Sequence, residues 1–189
     1  MKSILLTVLL IAAGFTPLKA ETVSFTMSAE VERTAAISLD KDFIAQYIKD
    51  LQIYPKFFPN IVSVNKLNDT ESEWLYLVEA PLATPYNLTF VLEDKSSGDT
   101  LLLESKDKIK DYLYCRGVLN QVSEKKTKIS FVFKISMTRE KASDIHFLAG
   151  VLGEKFLSDQ MKSKLEGDLE TFISKATKDM YIANRTSGN

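Results

Sequence analysis

Between Val23 and Val31 hydrophobic and polar residues alternate one for one. Val23, Phe25, Met27, Ala29 and Val31 fall on one side, and Thr22, Ser24, Thr26, Ser28 and Glu30 on the other. A period of two predicts a strand with one buried face. The spacing then turns helical, with Phe43, Ile44, Tyr47, Ile48 and Leu51 at i, i+1, i+4, i+5 and i+8. Asp40 or Ser38 ahead of them can accept from the free N–H groups of a first turn. The stretch 54–60 breaks this helix, because Pro55 and Pro59 prevent its regular continuation.

Six short strands are predicted next, over 61–67, 72–79, 86–94, 100–105, 112–121 and 127–137. The polar segments 68–70, 95–99 and 123–126 make hairpin loops between them. Tyr86, Leu88, Phe90 and Leu92 share one strand face, as do Ile129, Phe131, Phe133, Ile135 and Met137. The sheet should therefore be antiparallel, apolar on one side and polar on the other. The last region is helical. Ile145, Leu148, Leu152 and Phe156, then Met161, Leu165, Leu169, Phe172, Ile173, Ala176 and Met180, fall at three- and four-residue steps. Gly150 and Gly153 predict a kink ahead of a main helix over 154–181, about 40 Å long and able to cross a sheet diagonally.

The predicted order is one strand, two short helices, six strands and a long helix. A strongly bent sheet and a straight helix cannot touch along their whole length, so this order leaves a cavity between them. The short helices close one end of it. Tyr54-Pro55-Lys56-Phe57-Phe58-Pro59-Asn60-Ile61-Val62-Ser63-Val64 resembles the Y-P-x-F-x-P-x-V-x-x-V passage of the polyketide cyclase/dehydrase and lipid transport group of the START-like (SRPBCC) superfamily. Residues 165–172 are similar to that group's long helix. The resemblance covers 23–181 and implies an α+β helix-grip fold. In it a curved antiparallel sheet of about seven strands wraps around a long C-terminal helix, with two short helices after the first strand. One fold hosts many functions, so the resemblance speaks to architecture first.

The N-terminus reads as an address. Met1-Lys2-Ser3 leads into an apolar run over 4–15, followed by Pro17 and the small residue Ala20. This is the order of a secretory signal, here cleaved after Ala20, and the run is shorter than the roughly 20 apolar residues of a spanning helix. The expected organisation is a signal peptide over 1–20, a START-like domain over 21–183 and a disordered tail over 184–189, in a periplasmic or secreted protein. The full chain carries 24 basic and 25 acidic residues; losing Lys2 and Lys19 with no acid takes the net charge from −1 to −3. Such a balance excludes a protein that lives on phosphate backbones, so no nucleic acid is expected. One Cys and one His exclude a disulfide framework and a Cys- or His-rich metal site. Cys115, a free thiol in an oxidising compartment, should be buried.

No Ser-His-Asp arrangement, Gly-rich phosphate loop or C-x-x-C motif is present, and no catalytic residue, metal site or cofactor is assigned. The 11 Phe, 7 Tyr and one Trp supply core packing or a ligand-lining wall. The expected wall is Phe57, Phe58, Trp74, Tyr76, Tyr86, Phe90, Tyr114, Phe131, Phe133, Phe156 and Met161. Arg116 could hold an anionic head group if it faces the cavity and is a solvated strand residue if it faces out. His146 reads as an exposed side chain, and Asp40, Asp42, Glu71 and Glu73 as caps and turns. The lysines of 106–110 and 125–128 read as solvated loops, with a transient contact to an anionic membrane as the alternative. The sequence thus points to an exported, soluble, monomeric protein that binds a hydrophobic small molecule or lipid in an internal cavity, for transport or sequestration. Two alternatives stand beside it: a cyclase- or dehydratase-type enzyme using the same cavity, and an envelope protein-interaction module whose cavity is filled by side chains.

Overall fold

The computed structural model describes residues 24–79, 85–145 and 148–187. The predicted signal peptide, its cleavage point, Thr22, Val23 and His146 lie outside the described residues. The chain forms β1 (Phe25–Ile37), α1 (Lys41–Lys49), α2 (Ile53–Phe57), β2 (Ile61–Lys66), β3 (Glu71–Val78), β4 (Tyr86–Asp94), β5 (Thr100–Ser105), β6 (Asp111–Ser123), β7 (Lys126–Arg139), a 3-10 turn (Ala142–Asp144) and α3 (Ala149–Ser187). The strands make one seven-stranded antiparallel sheet in the order β1-β7-β6-β5-β4-β3-β2. The expected α+β architecture, a curved sheet holding a long C-terminal helix, is the observed one.

Alternation decides which face is buried. Leu113, Cys115, Gly117 and Leu119 of β6 and Ile129, Phe131, Phe133, Ile135 and Met137 of β7 point inward. β1 runs on past Val31 to Ile37, because Arg33 and Ala35 keep the alternation. The guanidinium of Arg33 escapes to Glu166 of α3, 3.6 Å away. Asp40 is the N-cap of α1, its Oδ1 accepting from the N–H groups of Asp42 (2.8 Å) and Phe43 (3.2 Å), and α1 buries Ile44 and Ile48. Pro55 does not break the chain where it was expected to: it sits in the first turn of α2, where a backbone N–H has no helical partner to lose.

α3 does not cross the sheet diagonally; it runs alongside the edge strand β1. The Thr26 N–H donates to Glu154 Oε1 (2.6 Å), the Ser28 N–H to Ser158 Oγ (3.1 Å), and the Ser38 N–H to the Tyr181 hydroxyl (2.9 Å). From 154 to 181 a helix rises about 40 Å at 1.5 Å per residue, and from 26 to 38 a strand rises about 40 Å at 3.3 Å per residue. The two elements match in length and direction, so helix side chains cover donors that an edge strand would otherwise present to solvent. At its far end Asp179 takes the Tyr47 hydroxyl of α1 (2.7 Å) and Lys56 of α2 (3.0 Å). Gly153, at φ +80°, breaks α3 at the kink predicted from its glycines. The helix continues through Ser187 rather than fraying at 184, since Asn184, Arg185 and Thr186 include no breaker and the Thr186 hydroxyl donates back to the Ala183 carbonyl (2.8 Å).

Phe172 of α3 is the centre of the core. Its ring stacks on Tyr54 at 5.2 Å and meets Phe58 at 5.8 Å and Phe131 at 5.6 Å. Tyr54 meets Trp74 at 4.9 Å and Phe58 meets Phe133 at 4.8 Å. These rings fill the space between helix and sheet along the second half of α3.

Candidate functional site

Toward the start of α3 the filling stops. Buried Leu157 and Leu165 and half-buried Met161 continue the apolar stripe, but Leu157 and Met161 are smaller than the rings that follow. They leave a cavity of about 340 Å³ between α3 and the sheet. Met27 of β1 and Ile135 and Met137 of β7 form one wall, and Tyr76 and Val78 of β3 the other. Asn60, at the entry to β2, joins Tyr76 on that second wall. Glu79, Gln160 and Lys164, all exposed, form its rim. The volume falls within the 300–1,000 Å³ of small-molecule sites, and the lining has their composition, mostly apolar with a few convergent polar groups.

Those polar groups sit together at one corner. Asn60 and Tyr76 are 3% and 5% exposed. Lys164 Nζ donates to Asp168 Oδ1 at 3.2 Å and pairs with Glu79 Oε2 at 3.3 Å. Asp168, one turn further along α3, is buried, and its Oδ2 has no hydrogen-bond partner. Burial pushes its carboxyl above the usual carboxylate range, against the pull of Lys164. For Lys164 burial pulls the other way, but its bonds to Asp168 and Glu79 win and raise its pKa. Burial also pushes the Tyr76 hydroxyl up, the Asp168 charge adds to the effect, and the Asn60 side chain opposes it. This corner can donate and accept hydrogen bonds in a partly desolvated setting. Among the described residues no group of three or more His, Cys, Asp or Glu could hold a metal ion, and no helix is long and apolar enough to cross a membrane.

Of the wall residues expected from the sequence, the structure brings Tyr76 and Met161 to the cavity. Phe58, Trp74, Phe131 and Phe133 lie in the aromatic core around Phe172. Phe90 is buried edge-on to Tyr76, 6.4 Å away. Phe57 is half-buried at the end of α2, with Lys56 Nζ over its ring. The Tyr86 hydroxyl donates to Met137 Sδ at 3.7 Å, just behind the lining. Tyr114 and Arg116 lie on the opposite, outer face, in a groove with Glu30, Glu32, Tyr112 and Lys134. Tyr114 and Cys115 are neighbours in one strand and cannot both point inward; Cys115 does. Phe156 is 44% exposed. Gly153 restarts the helix, and counting back in fours from Leu165 selects Met161 and Leu157. That count was the available signal for Leu157, and strand alternation the signal for Met27, Ile135 and Met137. Asn60, Glu79, Gln160 and Lys164 carry no such signal.

Comparison of the sequence with protein-family models and with curated proteins gives no match. Solved structures do match. The chain is similar to the Zhui aromatase/cyclase from Streptomyces sp. R1128, with a TM-score of 0.65 and 14% identity over 86% of this chain and 99% of that one. A protein from Thermus thermophilus matches with a TM-score of 0.59 and 12% identity over 82% of this chain and 98% of its own. A di-domain aromatase/cyclase of the steffimycin biosynthetic pathway matches with a TM-score of 0.57 and 11% identity, over 86% of this chain and 53% of its length. At such identities the likeness concerns architecture. The chain has the helix-grip fold of the START-like superfamily.

Proposed function

We propose that this is an exported, soluble, monomeric START-like protein that binds a hydrophobic small molecule or lipid in the cavity beside α3 and carries or sequesters it. The observation behind the reading is the cavity itself, about 340 Å³ walled by Met27, Ile135, Met137, Val78, Leu157 and Met161. Binding would draw its free energy from apolar area leaving water, about 25 cal/mol per Å² before ordering costs. The export reading rests on the apolar N-terminal run and Ala20. A cavity of this size favours a container over a module filled with side chains. Native mass spectrometry of protein purified from its own cells is the test. A co-purifying apolar mass is the expected result; repeated recovery of ligand-free protein that also binds no apolar fluorophore contradicts it.

A second reading, a cyclase- or dehydratase-type enzyme, draws on one observation. Asp168 is a buried carboxyl pushed toward its neutral form, close to Tyr76 beside an apolar cavity. Under that reading a cavity-sized hydroxyketone is dehydrated or cyclised, and Asp168→Asn stops turnover while the ligand still binds. Binding with no conversion by the unaltered protein overturns it.

A further inference from the structure

We propose that the polar corner of the cavity selects apolar ligands that end in a neutral oxygen function, a hydroxyl or a ketone, over ligands of the same length that end in a carboxylate. The inference rests on the cavity-binding reading. Three charged groups meet at the corner: Lys164 and Asp168 from α3, and Glu79 from the end of β3. Two acids against one base leave an excess of negative charge. An ammonium has three donors. Two of those of Lys164 are taken up by Asp168 at 3.2 Å and Glu79 at 3.3 Å, which leaves a third to turn toward a ligand oxygen. The Asn60 amide and Tyr76 hydroxyl, both buried, line the cavity on the same side.

A neutral hydroxyl or ketone placed here accepts from Lys164 or Asn60, and a hydroxyl can also donate, without adding charge. A carboxylate has to share Lys164 with two carboxylates already bound to it, in a setting where like charges repel more than in water. The opposite wall, Met27, Ile135 and Met137, takes an alkyl or ring body and supplies no charge. The corner would therefore reject a free fatty acid that the cavity could otherwise hold. Specificity of this kind comes from a repulsive element as much as an attractive one.

The test is displacement of the neutral fluorophore N-phenyl-1-naphthylamine by 1-dodecanol and by dodecanoate at neutral pH, each below its aggregation concentration. The unaltered protein is expected to be emptied by the alcohol at a concentration about ten-fold below that of the acid, a difference of about 1.4 kcal/mol. Glu79→Gln and Asp168→Asn should each narrow that ratio about three-fold or more by improving displacement by dodecanoate. The ratio is taken within one preparation, so a partly unfolded variant does not distort it. Dodecanoate equal to or better than dodecanol on the unaltered protein, or a ratio unmoved in both variants, overturns the inference while leaving cavity binding intact. Failure of the unaltered protein to bind the fluorophore overturns the cavity reading and this inference with it.

Discussion

A β-carbon at Gly117 would stand 3.0 Å from the Phe131 ring and 3.6 Å from Ile48 of α1. The glycine is therefore a packing residue, the gap through which a central strand meets both a core ring and a helix. Gly117→Ala should destabilise the fold by about 1–3 kcal/mol through overpacking, read by chemical denaturation; a change within about 0.3 kcal/mol would show that Phe131 yields freely. Its neighbour Cys115 is fully buried, and burial pushes the thiol up to about 12. It should resist a bulky thiol reagent in native protein and react only on unfolding. Labelling at the rate of a free thiol contradicts that burial. Asp168 offers a third check. Its folded pKa is raised, so its ionised form weighs against the fold above the usual carboxylate range, and the penalty lifts as pH falls through the raised value. The groups around it are Lys164, Glu79 and Tyr76. Asp168→Asn should match or exceed the unaltered protein's stability at neutral pH, and the difference should vanish in acid. A variant that loses stability at neutral pH would show that the Lys164 pair outweighs the burial cost.

The elements were largely legible because each obeys its own period. The strands and two helical regions followed from spacing alone, and Asp40 and Gly153 marked a start and a break. Tertiary contacts decided the rest. The end of β1 was obscured by Arg33, an apolar-face position whose guanidinium reaches out of the face to the Glu32 carbonyl (2.9 Å) and to Glu166 (3.6 Å). α2 was expected as the second of two short helices, but its bounds were hidden by a proline that is harmless in a first turn. The position of α3 along β1 depends on Glu154 and Ser158 meeting strand donors some 130 residues earlier in sequence, which no local pattern announces. Asp179 is the equivalent joint for the short helices. Its bonds from Tyr47 and Lys56 hold its carboxyl below the usual range. Its contribution is therefore present above that range and lost as pH falls through the lowered value. Asp179→Asn should cost about 1 kcal/mol at neutral pH and nothing once the native aspartate is protonated, seen as thermal melts that converge in acid. Parallel melts at every pH would contradict this joint.

At the scale of the molecule, one helix serves two ends differently. Its second half carries Phe172 into a cluster of rings and makes a packed core. Its first half carries Leu157 and Met161 and leaves a cavity. The candidate site was legible only as a region, because aromatic residues mark the inner face without marking where that face is filled. Tyr76 and Met161 reached the cavity, Trp74 and Phe133 went to the core, and Arg116 went to the outer face. The cavity beside the first half of α3 is the proposed binding site. Fluorophore titration of the unaltered protein beside Met161→Trp tests it most directly, since the indole would occupy the cavity without removing core contacts. Saturable binding by the unaltered protein, lost in Met161→Trp at unchanged melting temperature, is the expected result. Binding that persists undiminished in Met161→Trp, or is absent from the unaltered protein, would contradict it.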